Sequence, residues 1–215
     1  MAQLLALSDY WWGWGNLLFR WLHVIAGITW IGHLYFFNFV NSQVQAALDA
    51  DTKKAVNPQL MPRALWWFRW GAMLTLLSGL VLFTVIYLYT PGVGFGPNAL
   101  MQGMEGGLSD RARWIMWGML FGTIMWFNVW FIIWPAQKGL LSGKITGDAA
   151  GPVRARAGLF SKINTYLSGP MLVGMLGANH ANMGFGYTKL VILIALALIG
   201  VHVAMFHVPK VGKTV

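Results

Sequence analysis

Five runs of apolar residues, at about 17–40, 64–89, 114–134, 163–181 and 190–208, divide this chain. Each is long enough to cross a hydrocarbon core about 30 Å thick. Inside lipid every backbone N–H and C=O must find its partner within the protein, so such runs fold as helices rather than open strands. The expected fold is therefore all-α, a polytopic membrane bundle of about five transmembrane helices forming one domain over residues 1–215. The run at 163–181 is the weakest, because it holds Asn164, Ser168, Pro170 and Asn179, and the run at 190–208 is the cleanest.

Composition agrees with a membrane environment. Apolar residues make up 57% of the chain and charged ones 10%, against roughly 25% charged in soluble domains. Thirteen tryptophans also fit, since indole rings favour the headgroup level. A net charge of +9 raises the question of nucleic acid, but a nucleic-acid binder clusters its cations on an exposed soluble face. Here they lie in the short connections between apolar runs, where they act as topology signals. Lys53, Lys54 and Arg63 follow the first run, Lys138, Lys144, Arg154 and Arg156 follow the third, and Lys210 and Lys213 follow the fifth. With five spans these regions share one side, which the positive-inside rule makes cytoplasmic, with the N-terminus outside. Met1–Asn16 lacks the basic region of a cleavable signal peptide. The opposite side would hold the glycine-rich loop Pro91–Asp110, with Glu105 and Asp110, and the turn Asn182–Tyr187. The segment Gln43–Leu60 reads as a short surface helix or loop closed at Asn57-Pro58.

Small residues recur four apart, at Thr75 and Gly79, Gly118 and Gly122, Gly174 and Ala178, and Gly200 and Ala204. Such pairs let helices approach closely in lipid. They predict packing and say nothing about chemistry.

Chemistry points to the histidines. His23, His33, His180 and His202 lie within the apolar runs, and an ionisable group at that depth is costly unless it serves a site. Imidazole is a common haem and metal ligand. The 215 residues contain no cysteine, which excludes thiolate ligation, iron–sulfur clusters and covalent haem attachment within them. At 1.5 Å per residue, His23 lies about 9 Å and His33 about 24 Å into the first span from its outer end. His180 falls in the outer part of the fourth span, and His202 lies about 18 Å into the fifth. His23 and His180 thus share an outer layer, and His33 and His202 an inner one. This pattern suits b-type haem, with the iron held by His23 and His180. Gly27, Gly32, Gly177 and Gly200 beside these histidines would admit a macrocycle, and Arg20 would meet a haem propionate.

His23 and His33 point about 80° apart around their helix, so one haem, or two bounded by different helices, fits better than two stacked on a single axis. The competing reading of each histidine is a bond to a neighbouring helix, and for His207, beside Pro209 and Lys210 at the interface, that reading prevails. Asn128, mid-span among aromatic residues, is open between an interhelical bond and a site role. The run Gly92–Gly96 precedes no strand–helix unit and is not a phosphate loop. No span carries Asp, Glu or Lys in its middle, which disfavours a transporter or channel.

Several strings resemble the N-terminal membrane domain of the bacterial membrane-bound urate oxidase (urate hydroxylase) family. They are Arg20–Gly27 with Trp30-Ile31-Gly32-His33, the Pro62-Arg63-Ala64 lead into Trp66–Gly71, and Asn128-Val129-Trp130 followed by Trp134-Pro135-Ala136-Gln137-Lys138. The last is the most specific. The resemblance covers the first three spans best and implies a redox protein of the bacterial cytoplasmic (inner) membrane that passes electrons to a cytochrome c. In the absence of cysteine, that acceptor is expected on a partner chain. The expected function is a haem b-binding, urate oxidase-like electron-transfer protein or oxidoreductase. The alternative is a non-catalytic accessory subunit of a respiratory or photosynthetic membrane complex. Lipid and other membrane subunits are the further partners expected.

Overall fold

The structure, a computed structural model, describes residues 2–90, 94–96, 100–101, 107–181 and 184–213. Its helices are α1 (Ala2–Tyr35), α2 (Ser42–Ala47), α3 (Ala50–Phe83), α4 (Asp110–Phe127), α5 (Trp134–Leu141), α6 (Ala150–His180) and α7 (Tyr187–His207). Two-residue strands β1 (Tyr89–Thr90) and β2 (Gly94–Phe95) pair antiparallel after α3. Glu105 and the turn residues Asn182 and Met183 lie outside the described residues.

Four helical stretches, Trp12–Ala47, Ala50–Leu88, Asp110–Leu141 and Tyr187–Lys210, are long and apolar enough to cross a membrane. At 31 residues α6 has the length but not the apolarity. The reason is its place in the bundle. It packs against α4, α5, α7 and α1, and its Asn164, Thr165 and Ser168 are each 0% exposed. A helix surrounded by protein can carry polar groups that lipid would not accept. By contrast, none of the most apolar stretch around α7 is buried; its outer face of Val191, Ile192, Leu196, Ile199 and Phe206 is exposed, as lipid contact requires.

The bundle is built from two tight pairs, α1 with α3 and α4 with α6, with α7 laid outside α6. Glycine sets the spacing of both. A Cβ on Gly71 would lie 3.0 Å from the Trp30 nitrogen, and one on Gly174 would lie 2.2 Å from the Gly118 nitrogen. The pairs join through a core of Trp30, Leu34, Leu65, Phe68, Ala72, Met125, Val129, Ile133 and Met171.

Around this core the helices widen. Phe36–Asn41 and Asn128–Ile133 are π-helical turns, as is Thr84–Leu88 at the other end of α3. Widened turns disturb the regular carbonyl ladder, and at the first two of these sites buried asparagines supply donors. Asn38 Nδ2 donates to the Leu34 carbonyl at 2.9 Å and to Ser161 Oγ at 2.8 Å. Asn164 Nδ2 donates to the Met125 carbonyl at 2.9 Å, while its oxygen accepts from Asn128 Nδ2 at 2.8 Å. Asn128 is therefore engaged in an interhelical bond.

The expected break at Asn57-Pro58 does not occur. α3 begins instead at Asp49, whose side chain accepts from the backbone of Asp51 and Thr52, and it runs unbroken through Pro58 and Pro62. The Thr52 backbone N–H, foremost, and the Thr52 hydroxyl hold the Asp49 carboxyl below its ordinary range. A proline removes one ladder bond, and neighbouring turns keep the helix continuous on this exposed extension.

Candidate functional site

Along the second half of α1 and the first part of α4, beside the C-terminal ends of α3 and α6, the two helix pairs flank a half-open cavity of about 800 Å³. That volume lies within the range of small-molecule and cofactor pockets, roughly 300–1,000 Å³. His23 from α1 and His180 from the end of α6 both line it, together with Arg20, Gly27, Gly79 and Gly122. Two histidines separated by more than 150 residues therefore face one apolar space. Trp30 also lines it, 2% exposed, with no partner for its indole N–H among the described residues.

The surroundings of His23 select its tautomer. Its Nδ1 lies 3.2 Å from Ser78 Oγ. The single Ser78 hydroxyl proton is directed to the Leu74 carbonyl at 2.5 Å. The hydroxyl oxygen therefore accepts, Nδ1 is the donor, and Nε2 keeps a lone pair. A histidine whose second ring nitrogen is held this way is oriented as a metal ligand is. Gly79 lets the ring sit against α3, because a Cβ there would lie 2.9 Å from His23 Cε1.

The other histidines are placed differently. His33 Nδ1 donates to the Thr29 carbonyl at 2.7 Å within α1, and His33 is not among the residues lining the cavity. His202 Nδ1 meets the Tyr166 hydroxyl at 2.9 Å on the α6–α7 side and likewise stands apart from the cavity. The first residue is on α1 and the second on α7, which packs chiefly on α6. His207 Nδ1 donates to the Val203 carbonyl at 2.7 Å. Gly27 and Gly32 border the cavity, whereas Gly177 is occupied by the Trp114 ring and Gly200 faces open space.

The residues fit a porphyrin ligated by two histidines in three respects: a volume of the right class, one histidine from each helix pair, and walls thinned by glycine. Among the described residues no three of His, Asp or Glu gather as a multi-ligand metal site. A haem held by two histidines would need no such cluster.

Sequence reasoning passed over several residues. Ser78 orients His23, and Tyr87 and Arg111 line the cavity mouth. Arg69, inside the second apolar run, lies 3.8 Å from the Trp134 ring centre and 5.9 Å from those of Trp70 and Trp130. Trp130 Nε1 donates to the Arg69 carbonyl at 3.1 Å. An aromatic box can shelter a cation at this depth, and the string Trp66-Trp67-Phe68-Arg69-Trp70 was its available signal.

No curated protein and no solved structure matches the chain. The family model described as urate oxidase N-terminal matches residues 9–56, 47–96 and 93–214. Together these segments cover nearly the whole chain, which belongs to the urate oxidase N-terminal family.

Proposed function

We propose that this protein is a redox component of the bacterial cytoplasmic membrane that binds one b-type haem between His23 and His180 and passes electrons to a cytochrome c-type partner. The observation that carries this reading is that His23 and His180, from different helix pairs, line one cavity of about 800 Å³. A haem bound there supplies one-electron chemistry. The chain's own residues do the rest. Ser78 holds His23 with Nε2 free, the cavity's apolar lining excludes water, and Arg20 offers charge to a propionate. The positive-inside rule applied to the basic connections supports a cytoplasmic C-terminal end and an outward-facing His23 layer, from which a cytochrome c-type partner would take electrons.

A visible-absorption spectrum of the purified protein tests the proposal. A low-spin haem b spectrum is expected, lost or shifted in His23→Ala and retained in His207→Ala. Absence of haem from protein produced with ample haem supply, or an unchanged spectrum in His23→Ala, refutes it.

A further inference from the structure

The cavity is lined by two guanidinium groups and, among the described residues, by no carboxylate; Asp110, in a smaller hollow beside Arg111 and Asn179, pairs with Arg113. Arg20 on α1 and Arg111 in the first turn of α4 both line the cavity. Each is steadied by a neutral side chain rather than an acid. Arg20 Nε donates to Asn16 Oδ1 at 2.8 Å, and Arg111 Nη2 donates to Asn179 Oδ1 at 2.9 Å. The ion pairs among the described residues, Lys54 with Asp51 and Arg113 with Asp110, involve neither. Arg111 lies 5.5 Å from the ring centre of Tyr87, which is 4% exposed. Arg20, Arg111 and Tyr87 all line this same cavity, so the two cations belong to one locality.

A guanidinium has five N–H donors, and one bond to an asparagine leaves most of them unspent. Two like charges at the lip of an apolar cavity repel each other, and the low dielectric beside them strengthens that repulsion. Anionic groups at the mouth would reverse the sign of the interaction and take up the free donors in charge-assisted bonds. The asparagines meanwhile hold both side chains in place, so little ordering is required when the anion arrives.

We infer that Arg20 and Arg111 form a paired clamp for two carboxylates borne on one edge of the cavity's occupant, which on the haem reading proposed above are its two propionates. Asn16, Asn179 and Tyr87 are positioning residues of this clamp. The carboxylate-bearing edge then faces the end of the bundle where α1 begins.

The experiment compares iron protoporphyrin IX with its dimethyl ester, in which both carboxylates are masked, by Soret titration into the full chain in detergent. One charge-assisted bond is worth about tenfold in affinity, so the wild-type chain should favour the free acid by on the order of 10- to 100-fold. The double variant Arg20→Gln with Arg111→Gln corrects for partition of the ester into micelles. Its preference should collapse toward unity while its spectrum stays low-spin. Equal binding of acid and ester by the wild-type chain overturns the clamp and leaves the histidine site standing, as does an undiminished preference in the double variant. Binding of neither porphyrin overturns the haem reading and the clamp with it. The wild-type comparison needs no variant to fold.

Discussion

Replacing Gly174 by alanine should separate α4 from α6. A Cβ at Gly174 would lie 2.2 Å from the Gly118 nitrogen, 2.6 Å from its Cα and 3.0 Å from the Trp114 carbonyl oxygen. Unstrained non-bonded contact needs about 3.5 Å, so a shift of roughly 1 Å is required. All three opposing atoms are backbone, and no rotamer change can relieve the clash. Overpacking of this kind costs about 1–3 kcal/mol, and a 1 Å gap along the seam forfeits up to about half of each dispersion contact nearby. Alanine's better helix propensity returns up to about 1 kcal/mol. The net expectation is a loss of about 2 kcal/mol, or roughly 4–8 °C in melting temperature for a chain of this size. The thirteen tryptophans make intrinsic emission in detergent a direct readout of the melt. Gly158, also on α6, has nothing within 4 Å, so Gly158→Ala is the matched control and should melt at or slightly above the wild type. If Gly174→Ala melts no lower than this control, the close approach of the two helices is refuted.

Two further outcomes follow from other parts of the bundle. Asn164→Ala leaves the Asn128 amide and the Met125 carbonyl without the bonds that Asn164 now supplies; a loss of about 1–3 kcal/mol is expected by the same melt, and an unaltered melt would mean the pair holds nothing. A reporter fused after Val215 should be active only if it is of a cytoplasmic type; activity of a periplasmic reporter there would show that α6 does not complete a crossing.

Membrane helices were legible because the hydrophobic runs state their own requirement: lipid leaves the backbone only one partner, itself. Depth along a span can likewise be counted in residues, which is why His23 and His180 were expected in one layer, and both line a shared cavity. His33 and His202 show the limit of that counting. Depth fixes height but not direction, and these two sit on α1 and α7, with their Nδ1 atoms already bonded to Thr29 and Tyr166. The π turns were not legible, because Asn38 and Asn128 look like any polar residue in a span until the carbonyls around them are known. Nor was the continuity of α3 through Pro58 and Pro62. The Asp49 cap sets where α3 starts, and its continuation through both prolines depends on neighbouring turns that the local sequence does not specify.

α6 shows why hydropathy alone ranks membrane helices poorly. Among the described residues it is the one long helix not apolar enough to cross a membrane by composition, yet it packs on α1 as well as α4 and carries His180 to the cavity. The two facts have one cause. A helix in the middle of the bundle is removed from lipid by its neighbours, so Asn164, Thr165 and Ser168 can be wholly buried there at little cost, provided each finds a partner. Ser168 meets the Tyr35 hydroxyl at 2.9 Å and Asn164 spans to α4. These bonds and the Gly118–Gly174 seam draw the helices together around the core. Beyond that core the pairs part, and the space between them is the cavity. The polar residues that weaken α6 as a lipid-facing helix thus lock the closed part of the bundle, and the open part is where a redox group would fit.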